Sequence, residues 1–421
     1  MKTSKLSGFY KLSPEERLRV VKEFSGLRGE ETTTLNNTGA LGMGLANRMI
    51  ENVIGGFTLP LGVATNFRIN SRDYLIPMTL EEPSVVAAAS NVAKMARAKG
   101  GFTASATESR MIGQVQLVDV ANLAKAGKKI IASKNAILGL ANEQDPVLGK
   151  FGGGAMDLEV RELDTRAGKM LVVHLIVDCR DAMGANAVNT MAEAIAPRLE
   201  SLSGGRALLR IISNLAVHRL VRVKAVFAKD VIGGEEVVDA VLKAYAFAEA
   251  DEYRCATHNK GIMNGIIAVA LATGNDTRAL EAGAHAYAAL NGSYIPLTRY
   301  ERNIEGDLVG EIELPLAVGL VGGATTVHPA AKACVKILGV KTAPELAQVM
   351  ASVGLAQNFA ALRALATEGI QRGHMSLHAR NIAVMAGAEG ALVDRVAERL
   401  VAEKKIRVDR AKEILAGLRV K

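Results

Sequence analysis

Four side chains have the types and settings to do chemistry. They are Lys260 in THNKGIMNG (257–265), Asp276 in GND (274–276), Glu82 in EEPSVV (81–86) and His374 in GHMSLH (373–378). A fixed lysine beside a carboxylate can stabilise an oxyanion. Carboxyl and imidazole groups can carry protons to and from a reacting atom. Lys260 stands just before the apolar run GIMNGIIAVALATG, where the pattern predicts a helix start. A cation there opposes the helix dipole, and Gly261 and Gly265 weaken the helix further. Plainer readings stand beside these. Glu81 and Glu82 could complement a helix dipole, and Asp276 could be a helix cap.

No strand followed by G-x-G-x-x-G is present, and GALGMG (39–44) has the wrong order. Asp178 instead ends an apolar strand pattern, and DAMGANAVNT (181–190) turns straight into a helical one. A small-residue turn at a helix amino terminus offers backbone N–H groups to a phosphate. The bland reading is a tight turn in which Gly184 supplies an unusual backbone angle. His374 and His378 have i, i+4 spacing, but Met375 stands where a zinc protease needs glutamate, so no metal is expected. There is no G-x-S-x-G elbow and no P-loop.

These groups need a scaffold, and the composition is that of a globular one, with 49% hydrophobic and 22% charged residues. No run of some 18 apolar residues appears, so no membrane helix is expected. The first residues, MKTSKLSGFYKLSPEERL, lack the apolar stretch of a signal peptide. Cys179, Cys255 and Cys334 are odd in number and far apart, which fits a reducing cytoplasm rather than disulfides. The net charge of +8 comes from dispersed basic residues, which suits small polyphosphorylated ligands and not nucleic acid.

A helix is predicted over 11–24, with Ser13, Pro14 and Glu16 as its capping box. Another spans 83–98, with Pro83 in its first turn. DLEVREL, the turn AGK and MLVVHLIVD read as a hairpin. RALLRIISN and HRLVRVKAVF read as further strands. The chain is helical again from 236, and its last helix is expected to be capped by Asp409. The fold class is α+β: a mainly helical framework, a strand-rich insertion and a small helical carboxy-terminal appendage.

In order along the chain, ENVIGG (51–56), EEPSVVAAAS (81–90), DAMGANAVNTMAEA (181–194), THNKGIMNG, GND, LVGGAT (320–325) and GHMSLHARN (373–381) closely resemble the class II 3-hydroxy-3-methylglutaryl-coenzyme A (HMG-CoA) reductases. The lack of a long amino-terminal membrane segment points to class II rather than class I. The resemblance implies reduction of HMG-CoA to mevalonate and coenzyme A by two hydride transfers from a nicotinamide cofactor. It implies that Lys260 stabilises the oxyanion, Asp276 pairs with it, Glu82 gives a proton to the aldehyde oxygen and His374 protonates the leaving thiolate. Ser84, Arg254, Asn264, Glu51 and Asn52 map to the acyl substrate. Asp181, Met183, Gly184, Asn186 and Ala187 map to the dinucleotide loop, and Asp145 to the adenosine ribose. An acid on the ribose favours NAD over NADP.

The implied architecture is a large domain (1–109 and 217–374), a small dinucleotide-binding domain without a standard Rossmann fingerprint (110–216), and a flap (375–421) hinged near Gly373. The family works as a dimer with active sites at the interface, so at least a dimer is expected. The other readings are a non-catalytic coenzyme A or nucleotide-binding protein on the same fold, and a thioester hydrolase using Lys260 and Glu82. A continuous helix over 261–273 would hold Lys260 and Asp276 roughly 20 Å apart. Contact between them then needs a bend, packing or a partner subunit.

Overall fold

The computed structural model describes residues 2–367 and 379–419. The chain opens with helix α1 (Pro14–Ser25), followed by α2 (Gly29–Asn36) and α3 (Met43–Met49). The Ser13 hydroxyl accepts from the Glu16 N–H and the Glu16 carboxylate accepts from the Ser13 N–H, so the expected capping box is formed. Next come β1 (Leu61–Ile69), β2 (Arg72–Thr79), α4 (Val85–Ala96), β3 (Phe102–Ala106) and β4 (Arg110–Val118). Helices α5 (Leu123–Ala132), α6 (Lys134–Asn142) and α7 (Pro146–Lys150) lead to the hairpin β5 (Gly154–Thr165) and β6 (Gly168–Asp178). Then follow α8 (Ala185–Ser203), β7 (Arg206–Ser213), β8 (Leu220–Phe227), α9 (Lys229–Ile232) and α10 (Glu235–Ala250). Helix α11 (Glu252–Ala272), α12 (Thr277–Ala288), β9 (Thr298–Arg302), β10 (Leu308–Pro315), α13 (Gly323–Val327), α14 (Pro329–Leu338) and α15 (Ala343–Ala366) complete the main body. Helices α16 (Ala391–Ala402) and α17 (Val408–Arg419) lie near the carboxy terminus.

Among the described residues the strands form two sheets, in the orders β2-β1-β3-β8-β10-β9 and β5-β6-β4-β7. The first is the main departure from the sequence reading. The mainly helical framework also contains a six-stranded sheet, and HRLVRVKAVF (β8), which lies beyond the 110–216 insertion, belongs to it. Its strands come from distant parts of the chain, and such pairing leaves little local signature. The second sheet contains the expected hairpin, whose last pair Thr165–Gly168 leaves a two-residue turn.

Buried apolar residues separate accordingly. One cluster lies between the six-stranded sheet and helices α4, α10, α11 and α15. A second runs from Met111 to Ala216, joined by Ala317, where α5, α6 and α8 cover one face of the four-stranded sheet. A third belongs to residues 379–418 alone.

Helix α15 is long and apolar enough, by length and composition alone, to cross a membrane. Its composition follows from burial: it packs on α4, α10, α11 and strands of the large sheet, and most of its residues are buried there. Helices α11 and α15 approach closely at glycines. A Cβ on Gly265 would lie 3.0 Å from Val353 Cγ1, and one on Gly354 2.9 Å from Ile266 Cδ1.

Three boundaries differ from expectation. Helix α4 starts at Val85, not Pro83, because Ser84 takes a left-handed conformation at φ 76°. Helix α17 starts at Val408, so Asp409 sits in its first turn and pairs with Arg407 rather than capping. Helix α11 starts at Glu252, eight residues before Lys260, with the Asp251 carboxylate capping it through the Arg254 N–H at 2.7 Å. Lys260 is therefore interior to the helix and does not oppose its dipole. The early turns carry no apolar pattern because their buried face includes His258 and Asn259.

Candidate active site

Lys260 and Asn264 lie one turn apart on α11, so both point to the same side. The Lys260 Nζ lies 3.3 Å from Glu82 Oε2, and the Asn264 Nδ2 lies 3.4 Å from the same oxygen. Glu82 lies in the middle of the short connection from β2 to α4, and Glu81 beside it is exposed. The left-handed Ser84 turns the chain sharply there. Its Oγ is shielded from solvent and has no hydrogen-bond partner among the described residues. The Lys260 and Glu82 side chains are 63% and 38% exposed, so the pair contributes only about 0–1 kcal/mol to stability. Arg254 is half-buried in the first turn of the same helix.

Below these groups α11 is fastened by buried polar contacts. His258 Nε2 lies 2.6 Å from Thr298 Oγ1, and Asn358 Nδ2 donates to the His258 carbonyl at 3.2 Å. The Asn259 side chain donates to Ile295 O and accepts from Leu297 N, both at 3.0 Å. Burial pushes the His258 imidazole down to about 3, helped by Arg254.

A second cluster gathers three further motifs. Asp181 O accepts from Leu320 N at 2.8 Å, and Ala182 pairs with Val321 as a parallel bridge. Asn275 Oδ1 accepts from Gly319 N at 2.7 Å, which ties the GND turn to the same segment after β10. A Cβ on Gly319 would lie 2.6 Å from Met183 N, so only glycine allows this approach. The Asp181 carboxylate accepts from Ala343 N at 2.7 Å, in the first turn of α15. DAMG, GND and LVGG are thus one structural unit.

Gly184, at φ 106°, leads into α8, and no side chain caps that helix. A Cβ at Gly184 would lie 2.3 Å from Cys179 Sγ, so the turn requires glycine. The first N–H groups of α8, those of Ala185, Asn186 and Ala187, have no partner inside the helix. Such a terminus fits an anionic dinucleotide. Asp145 caps α7, with Oδ1 accepting from Leu148 N at 2.8 Å, and leaves its other oxygen free of this bond.

Not every expected contact forms. Asp276 caps α12, accepting from Arg278 N and Ala279 N at 3.0 and 3.2 Å, and its ion pair is with Arg278. It makes no contact with Lys260. Helix α11 runs unbroken to Ala272, so the two are separated by about 18 Å of helix rise plus a turn. Glu51 and Asn52 lie in an exposed, irregular stretch and make no hydrogen bond to this cluster. His374 and His378 lie outside the described residues. Asn275, Gly319 and Arg219 were not singled out from sequence. Asn275 could have been found, since it lies inside the GND motif, whereas nothing local marks Arg219.

The family model described as hydroxymethylglutaryl-coenzyme A reductase matches residues 13–379. The chain is 63% identical over 417 residues to 3-hydroxy-3-methylglutaryl-coenzyme A reductase of Archaeoglobus fulgidus, covering 99% of this chain and 95% of that protein. The chain belongs to the hydroxymethylglutaryl-coenzyme A reductase family. A class II HMG-CoA reductase of Streptococcus pneumoniae, bound to NADPH in open conformations, superposes with a TM-score of 0.82 at 43% identity. That alignment covers 97% of this chain and 100% of the other. The probable HMG-CoA reductase of Borreliella burgdorferi is 37% identical over 79% of this chain and 77% of its own length. As an HMG-CoA reductase, the chain is an oxidoreductase of mevalonate metabolism that uses a nicotinamide cofactor. The binding-protein and hydrolase readings are not favoured.

Proposed function

We propose that Glu82, Lys260 and Asn264 form one wall of the reducing site, and that Asp276 and the 181–187 loop of a second copy of the chain form the other. The carrying observation is the convergence of Lys260 and Asn264 on one Glu82 oxygen, two residues from the unpartnered Ser84 hydroxyl. A weak, half-exposed ion pair is of little structural use, and an unpaired hydroxyl shielded from solvent is costly unless a ligand meets it.

Lys260 stabilises the oxyanion formed at the thioester carbonyl, with the partner's aspartate beside it. Glu82 delivers a proton to the aldehyde oxygen, and His374 protonates the coenzyme A thiolate. Ser84, Arg254 and Asn264 hold the polar ends of the acyl group, with Glu51 and Asn52 contributing from the exposed stretch. Asp181, Met183, Gly184, Asn186 and Ala187 hold the nicotinamide dinucleotide, which supplies hydride.

Asp145 at the adenosine ribose favours NADH over NADPH, because a carboxylate repels a 2′-phosphate. The Streptococcus pneumoniae relative was seen with NADPH, so this preference is specific to this chain's reading. The proposed organisation is a substrate domain (1–109 and 217–374), a dinucleotide domain (110–216) and a flap (375–421), in a cytoplasmic homo-oligomer.

The test is nicotinamide absorbance followed with HMG-CoA and either NADH or NADPH, and in reverse with mevalonate, coenzyme A and the oxidised cofactor. Faster turnover with NADH, abolished in Lys260→Ala, is the expected result. Faster turnover with NADPH overturns the role of Asp145, and turnover surviving Lys260→Ala overturns the catalytic assignment.

A further inference from the structure

Arg219 lies between the two sheets, just before β8, and is 5% exposed. Its guanidinium has no carboxylate within ion-pairing distance among the described residues. Instead it donates to three carbonyls: Ala182 O at 3.1 Å, Met183 O at 3.2 Å and Val318 O at 2.5 Å. Two of the three belong to the DAMG turn. Asp178 and Asp181 act on its charge from a distance, but burying a cation without a direct ion pair is unfavourable, so a structural role alone could be met more cheaply by an apolar side chain.

The geometry of the peptide unit gives this contact a consequence. In a trans peptide the C=O and the following N–H point in opposite directions. Among the described residues there are no cis peptides. Drawing the Ala182 and Met183 carbonyls onto the guanidinium turns the Met183 and Gly184 N–H groups away from it. Neither N–H has an acceptor among the described residues. With the free N–H groups that begin α8, they make a run of consecutive donors from 183 to 187, and the buried positive charge lies behind it. Gly319 keeps the arrangement tight, since a Cβ there would strike Met183 N.

We infer that Arg219 is a positioning residue for the nicotinamide dinucleotide: by holding two loop carbonyls inward, it aims the loop's N–H groups at acceptor oxygens of the cofactor. The inference rests on the proposed assignment of the 181–187 loop to the dinucleotide.

The experiment measures equilibrium binding of NADH and of HMG-CoA separately to the purified full chain and to Arg219→Lys and Arg219→Met. The wild type serves as the check on the underlying reading: if it binds HMG-CoA but no NADH or NADPH, that reading fails. If the wild type binds NADH, Arg219→Met is expected to lose roughly 10- to 100-fold in NADH affinity while HMG-CoA affinity stays within about twofold. Arg219→Lys keeps the charge but not the three-carbonyl fork, and should recover part of the loss. NADH affinity unchanged in folded Arg219→Met, or both ligands weakened equally, overturns the inference. Hydrogen exchange on the wild-type chain needs no variant to fold. The segment 182–187 should gain protection on adding NADH and not on adding coenzyme A. No gain with NADH, where NADH is shown to bind, overturns it.

Discussion

Glu82 and Lys260 are 178 positions apart and meet at 3.3 Å. Their contact is half-exposed and adds little to folding, so removing it should separate chemistry from stability. Glu82→Gln and Lys260→Ala are expected to lower kcat by roughly 10²- to 10⁴-fold. Their unfolding free energies should stay within about 0.5 kcal/mol of wild type. Steady-state kinetics beside denaturant melts checks both. Retained activity in Glu82→Gln with an unchanged pH–rate profile would remove Glu82 from the proton path. Most of these residues were legible because motif order carries them. Their neighbours were less so: Ser84 takes a left-handed angle that its residue type does not announce, and Glu81 and Glu82 are alike until the fold turns one toward Lys260.

At the scale of elements, α11 has two faces with different duties. One presents Lys260 and Asn264. The other sets His258 and Asn259 into buried contacts with β9, α15 and the segment before β9. His258 is 1% exposed, and its folded pKa of about 3 lies below the 6.5 of the free imidazole. Between those values the unfolded chain takes up the proton and the folded chain does not, so stability falls as pH drops below about 6.5. From pH 7 to 5 this group alone should cost about 2 kcal/mol, with the loss levelling near the folded value. Denaturant melts across that range test the slope, which should flatten in His258→Gln. A wild-type curve no steeper than that of His258→Gln would contradict a neutral buried imidazole. Only part of this helix is legible in the sequence. Its apolar half was visible, but its first two turns bury polar side chains that find partners only in the folded state.

For the whole molecule, the separation of Lys260 from Asp276 is the feature with the widest consequence. A continuous α11 and the cap that Asp276 makes on α12 keep them apart within one chain. The proposed site, which needs both, would take them from two copies. Lys260→Ala and Asp276→Asn should each be inactive alone. Co-refolded mixtures of the two should regain roughly a quarter of wild-type activity, because half of randomly assorted dimers are mixed and each has one intact site. No regained activity in a mixture shown to contain mixed dimers would place both residues in one subunit's site.

The order of seven motifs, the caps at Ser13 and Asp276, and the β5–β6 hairpin were determined by sequence alone, because each depends on residues near one another in the chain. Family membership follows from that order. Tertiary structure decided the rest. The six-stranded sheet joins strands from residues 61 to 315, and no local pattern specifies such pairing. The apolar α15, with the composition of a membrane span, is buried by protein because other helices and the sheet surround it. The union of DAMG, GND and LVGG through Gly319, Asn275 and Arg219 arises only where three distant turns pack at van der Waals distance. Short-range chemistry is written in spacing, whereas an interaction between distant turns exists only once the chain has folded.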